Sequence, residues 1–105
     1  MNPEIVLSTT PNPEVAVKLA EGIVRERLAA CVNIVPQVRS IYFWEGEIQR
    51  DEECLLIIKS RSERRDALFA YLAEHHPYDV PEVIALPISA GSASYLRFIE
   101  SNTLE

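Results

Sequence analysis

Cys31-Val32-Asn33-Ile34-Val35-Pro36-Gln37-Val38-Arg39-Ser40-Ile41-Tyr42-Phe43-Trp44 and Glu47-Ile48-Gln49-Arg50-Asp51-Glu52-Glu53-Cys54-Leu55-Leu56-Ile57-Ile58-Lys59 flank the dipeptide Glu45-Gly46. Both arms are rich in β-branched and aromatic residues, and a turn pair between two such arms predicts a β-hairpin. Pro36 has no N–H to give to a ladder, so it marks a bulge or a sheet edge in the first arm. Each arm, about thirteen residues at about 3.3 Å per residue, reaches about 40 Å if unbroken. A compact domain of this length has a radius of gyration of about 13 Å. The tip, with Tyr42, Phe43 and Trp44, therefore projects from the body. A second reading bends the strand at Pro36 and folds the aromatics back onto the chain's own helix.

Upstream of the hairpin, Glu4 to Thr9 contains Ile5-Val6-Leu7 and reads as a buried strand. Asn12-Pro13-Glu14 then opens a helix: Asn12 can cap it, Pro13 suits the first helical position and Glu14 suits the positive end of the dipole. Val15, Leu19 and Ile23 form its apolar stripe, and the pattern predicts an end near Ala29. Downstream, Ser60-Arg61-Ser62-Glu63 matches a capping box with Ser60 as the cap. The helix after it lines up Leu68, Tyr71, Leu72 and His75, and Pro77 stops it. A short strand, Val83 to Leu86, lies between Pro81 and Pro87. Gly91-Ser92 precedes a last amphipathic helix with Tyr95, Leu96, Phe98 and Ile99.

The order is β-α-β-β-α-β plus a C-terminal helix, the split-βαβ pattern of an α+β, ferredoxin-like sandwich. Such a sheet should alternate apolar and polar residues, yet Cys54-Leu55-Leu56-Ile57-Ile58 and Val83-Ile84-Ala85-Leu86 do not. Both faces of the sheet should be buried, and two main helices cannot cover both. An oligomer is expected, in which a neighbouring subunit covers the aromatic hairpin tip.

The chain has 105 residues, 16 acidic and 10 basic, for a formal charge of −6. With 48% hydrophobic and 25% charged residues it has the make-up of one globular domain, residues 1–105. The acidic balance argues against nucleic acid and anionic membranes as partners; Arg61, Arg64 and Arg65 are interrupted by Glu63 and Asp66. No stretch approaches the roughly 20 apolar residues of a membrane span. Met1-Asn2-Pro3-Glu4 shows no secretory signal, and two cysteines, Cys31 and Cys54, read as free thiols of a cytoplasmic protein. No G-x-S-x-G elbow or P-loop occurs. Thr9-Thr10-Pro11 lacks the Gly-rich cradle that an acylphosphatase-like site needs, so no catalytic role is expected.

Leu28-Ala29-Ala30-Cys31-Val32-Asn33, Ser40 to Gly46, Ile57-Ile58-Lys59 and His76-Pro77-Tyr78-Asp79-Val80-Pro81-Glu82 together resemble the CutA divalent-cation-tolerance family, in order and over essentially the whole chain. The resemblance implies a homotrimer similar in architecture to the PII-type regulators. It also implies a cytoplasmic role in tolerance of divalent metal ions, copper above all, without established catalysis. The family's copper-binding pattern implies a histidine pair, here His75 and His76, with Ser8 standing where a cysteine ligand would be. A hydroxyl is a poor ligand for a soft copper ion, and adjacent helical residues point about 100° apart. The pair can chelate only if Pro77 unwinds the last turn; otherwise His75 packs on the apolar face and His76 caps the helix. The resemblance places Cys31 beside an intersubunit cleft. Trp44, Lys59, Tyr78 and Glu82 are further candidates for that cleft, with an interfacial Lys59–Glu82 ion pair as the alternative. Three functions stand beside one another: a metal-responsive trimer, a small-molecule sensor using the clefts, and a structural scaffold.

Overall fold

Alternation governs the first strand. In a computed structural model that describes residues 1–104, β1 (Pro3–Thr10) buries Glu4, Val6, Ser8 and Thr10 and leaves the residues between them half-covered. Asn12 then caps α1 (Pro13–Arg25), its side-chain oxygen accepting the Val15 N–H at 2.9 Å. Ala16, Leu19, Ala20 and Ile23 form the buried face of α1. The helix ends four residues before the expected Ala29. Arg27 turns into the left-handed region at φ 57°, while Leu28 N–H reaches Ile23 C=O at 3.0 Å and Arg27 N–H reaches Val24 C=O at 3.0 Å. Those two bonds make a Schellman motif, with Leu28 folding back to join the core. The apolar periodicity runs past Arg25, but its last members belong to this cap.

The hairpin forms as the sequence indicates. β2 (Cys31–Trp44) pairs antiparallel with β3 (Glu47–Arg61) from Cys31↔Lys59 to Trp44↔Glu47, with a register shift between Val35 and Val38. Pro36 therefore sits in a bulge, and Gln37 beside it has φ 60°. Glu45 and Gly46 both have positive φ, 52° and 79°, as a two-residue type I′ turn requires. The tip does not fold back: Ile41 and Phe43 are 70% and 74% exposed, and the molecule measures 45 × 25 × 21 Å.

The capping box does not form. β3 continues to Arg61, and the Ser60 hydroxyl is spent inside the fold, donating to Leu28 C=O at 2.6 Å. Glu63 instead accepts from the Asn2 backbone and side-chain amides at 3.2 and 3.0 Å. A 3-10 turn over Ser62–Arg64 leads into α2 (Arg65–His75), followed by β4 (Ile84–Pro87) and α3 (Ala93–Ser101), which Ser92 caps. Helix capping motifs and strand ends compete for the same Ser/Thr residues, and pairing of Ser60 with Glu4 in β1 prevails here.

The sheet order is β2-β3-β1-β4, all neighbours antiparallel. Val6, Leu56 and Ile58 pack with Leu19 and Ile23 of α1 and Leu68 and Leu72 of α2 to form the core on one face. The other face meets α3 and the residues just after it: Arg61 of β3 donates from Nε to the Thr103 hydroxyl and from Nη2 to Thr103 C=O, both at 2.8 Å. That second face is only partly covered by the chain itself: Leu7 and Ile57 are half-buried, and Ile84 and Leu86 are exposed. Beyond Glu53 only the two hairpin strands continue, and they have two unlike sides. Ser40, Tyr42 and Trp44 share one side with Asp51 and Glu53, while Ile41, Phe43 and Ile48 occupy the other.

Candidate functional site

Pro77 disfavours a helical backbone in the residue before it, so His76 leaves α2 with φ −76° and ψ 137°. Its ring turns inward and is buried. Thr9 C=O can only accept, so the 2.8 Å contact to Nε2 places a proton on that nitrogen. Nδ1 then accepts the Tyr78 backbone N–H at 3.1 Å, and the two rings pack 4.8 Å apart. Both nitrogens of the neutral imidazole are occupied. His76 is therefore the clamp that sets the 77–82 loop against β1.

This arrangement corrects the expected metal set. His75 is exposed rather than packed on the apolar face, and its ring lies 4.2 Å from Tyr71. His76 does cap α2, its backbone N–H reaching Leu72 C=O at 2.9 Å, but its ring is buried with no nitrogen lone pair left. Ser8 is fully buried on the helix-facing side of β1, its hydroxyl without a hydrogen-bond partner. Among the described residues no three His, Cys, Asp or Glu side chains come together as a metal site.

The expected cleft residues fall into two groups at opposite ends of the hairpin. Cys31 and Lys59 face each other across β2 and β3 at its base. Lys59 Nζ donates to Asn33 Oδ1 and lies 3.9 Å from Cys31 Sγ, and it makes no ion pair with Glu82 of its own chain. The Tyr95 hydroxyl of α3 also meets Cys31, and burial, then Cys31, pushes its ionisation above the ordinary tyrosine range. Trp44, Tyr78 and Glu82 instead line an open cleft of about 710 Å³ between the polar side of the hairpin and the 77–82 loop. Trp44 is 49% exposed there, so its own chain already covers half of it.

Sequence reading missed three members of this cleft: Tyr42, Asp51 and Glu53. The Tyr42 hydroxyl donates to Asp51, and the Tyr78 hydroxyl donates to Glu53 at 2.7 Å. The bond to Asp51 raises the ionisation of Tyr42, and burial followed by the Glu53 bond drives that of Tyr78 far above the usual tyrosine value. A signal was present, since Asp51 and Glu53 are two apart on one strand and so share a side. It reads equally well as a solvated strand entry until the 77–82 loop is placed over it.

A four-stranded antiparallel sheet in split-βαβ order, two helices on one face, a third on the other and an acidic, aromatic cleft beneath a long hairpin define a single-domain α+β protein. Comparison with known proteins makes this specific. The family model for the CutA1 divalent ion tolerance protein matches residues 4–102, and the chain belongs to that family. The "Protein CutA 1, chloroplastic" of Oryza sativa subsp. japonica is 52% identical over 101 residues, 96% of this chain and 57% of the relative. The "Divalent-cation tolerance protein CutA" of Thermus thermophilus is 48% identical over 95% of this chain and 97% of the relative. The chain thus spans only about half of the plant relatives, 57% of the rice protein and 54% of that of Arabidopsis thaliana. The crystal structure of CutA1 from Oryza sativa superposes with a TM-score of 0.97 at 50% identity, covering 100% of this chain and 96% of that one.

Proposed function

We propose that this chain serves divalent-cation tolerance as a homotrimer that binds rather than catalyses, in a reducing, cytoplasmic setting. The observation that carries the assembly is the apolar side of the projecting hairpin. Ile41, Phe43 and Ile48 lie exposed together there, and Ile84 and Leu86 are exposed on the edge strand β4. Exposed apolar ribbons and sheet edges invite pairing, and a closed ring of copies is the arrangement that uses them up. The free thiols of Cys31 and Cys54 suit a reducing compartment.

Copper is the ion this reading nominates, because imidazole suits it. The residues do not fit the expected chelate, however: His76 has no free nitrogen, and Ser8 is a core hydroxyl. Only the exposed His75 remains as a donor, and one imidazole gives weak, easily displaced binding.

Sedimentation velocity tests the assembly. Wild type should run as a trimer, and Phe43→Asp should give smaller species with an unchanged circular dichroism spectrum. A monomeric wild type would refute it. Calorimetric titration with copper should give weak binding that His75→Ala abolishes and His76→Ala does not. Tight binding lost in both variants would restore the chelating pair.

A further inference from the structure

Cys31 and Cys54 are both free, but their settings are opposite. Cys54 is 3% exposed and packs into the core between sheet and helices. Cys31 is half-buried at the hairpin base, on the α3 side of the sheet, with exposed Asn33 and Tyr95 beside it. Three polar side chains converge on its sulfur. Lys59 Nζ of β3 and Asn33 Nδ2 of β2 each lie 3.9 Å from Sγ, and the Tyr95 hydroxyl meets it from α3. All three present hydrogens to the sulfur, and no oxygen among the described residues accepts a hydrogen bond from it.

Lys59 is equally one-sided. Its ammonium also donates to Asn33 Oδ1, a neutral oxygen, and among the described residues no carboxylate pairs with it. Arg61, next along the same side of β3, bonds to Thr103 and brings no negative charge either. A cysteine attacks as its thiolate. Negative charge forming on Sγ here is met by the Lys59 ammonium and by two further donors.

We propose that Cys31 is a site of reversible thiolation by small disulfides that carry a carboxylate. The Cys31 thiolate attacks one sulfur of the disulfide; a bond forms from Sγ to that sulfur, and the disulfide's own S–S bond breaks. Cys31 is oxidised and the departing half is reduced to a thiolate, which takes up a proton in place of the one Cys31 released. Capping removes the negative charge beside Lys59, and a carboxylate on the cap replaces it. Cys54, enclosed in the core, stays reduced. The inference concerns the hairpin base of the assembled protein and is independent of the copper reading.

The test uses the assembled full chain and two probe disulfides, dithiodiglycolate, which is anionic, and cystamine, which is cationic. Mass spectrometry of the intact chain and of its peptides counts and places the adducts over time. One adduct per chain should form, on Cys31, and dithiothreitol should remove it. The anionic probe should react about tenfold faster than the cationic one. That preference runs against the formal charge of −6, which by itself favours the cation. Lys59→Met should erase it and Lys59→Arg should keep it, whereas a merely structural lysine would change both rates alike. Should Lys59→Met fail to fold, added sodium chloride must shrink the wild-type preference. The proposal is overturned if neither probe modifies Cys31 in the folded protein, or if Cys54 is labelled as fast. It is overturned equally if cystamine matches dithiodiglycolate on wild type, or if the anionic preference survives Lys59→Met or ignores salt.

Discussion

Arg27→Gly should stabilise this protein, although the residue lies beside a helix where glycine is ordinarily harmful. Arg27 occupies the C′ position of the Schellman motif with φ 57°. The left-handed region costs a residue with a Cβ about 1–2 kcal/mol, and glycine nothing. Glycine also widens the unfolded ensemble, which offsets about 0.4–1 kcal/mol of the gain. The difference leaves about 0.5–1 kcal/mol of net stabilisation. Little else changes, because the Arg27 side chain is exposed and its one external bond is made by its carbonyl, which accepts from Arg64 Nε at 3.3 Å. Lys18→Gly is the matched control, an exposed position inside α1 where glycine should destabilise by about 1 kcal/mol. Urea unfolding at one fixed protein concentration reads both, with midpoints moving in opposite directions by a few tenths of a molar at least, for slopes of about 1–3 kcal/mol/M. A loss of stability in Arg27→Gly matching that in Lys18→Gly would refute the left-handed cap.

A Cβ added at Gly22 would lie 1.9 Å from the Tyr71 hydroxyl oxygen and 3.0 Å from the carbon bearing it. Gly22→Ala should therefore destabilise by about 1–3 kcal/mol, and adding Tyr71→Phe should recover part of the loss; strict additivity in the double-mutant cycle would contradict the contact. Ser8→Ala removes a buried hydroxyl that has no partner and should raise stability by about 1 kcal/mol in the same urea assay, whereas a clear loss would mean that the hydroxyl is satisfied. Tyr78 holds its proton to higher pH in the folded chain than in the unfolded one, through burial and then Glu53. Its contribution is therefore full below about pH 10, the ordinary tyrosine value, and declines as pH rises toward the folded value. Stability measured between pH 9 and 11 should fall less steeply in Tyr78→Phe than in wild type, and identical slopes would refute the assignment.

The hairpin, its turn and its bulge were legible because each rests on local chemistry: two β-branched arms, Glu45-Gly46 and Pro36. The cap of α1 by Asn12 was legible for the same reason. The early end of α1 was not, since an arginine in the left-handed position carries no mark that glycine would have left. The false capping box at Ser60 shows the converse, a local motif overruled by pairing with β1, 56 residues away in sequence (Glu4↔Ser60). Trp44, Tyr78 and Glu82, expected at a cleft between subunits, lie together beside the hairpin of one chain, whereas Cys31 and Lys59 belong to the hairpin base. His75 and His76 stand next to each other in sequence, yet Pro77 sends one ring to solvent and the other into the fold. Glu53 was hidden because its burial depends on a loop that reaches it from 25 residues further along, through Tyr78.

The bulge at Pro36-Gln37 works like a one-residue frameshift in the hairpin. Ahead of it, Val32 and Ile34 stand opposite Ile58 and Leu56 and pack against the helix-side core. Past it, Val38, Ser40, Tyr42 and Trp44 stand opposite Glu53, Asp51, Gln49 and Glu47 instead. Even-numbered residues of β2 thus change sides at that point, which is what hands Tyr42 and Trp44 to the carboxylates and turns Ile41 and Phe43 outward. Deleting Gln37 alone would restore the original phase and exchange the two surfaces together, greasing the acidic cleft and stripping the outer side of its apolar residues. No side chain at the tip would have been altered, so both surfaces are specified by a backbone insertion four residues before the first of the aromatics and isoleucines it directs.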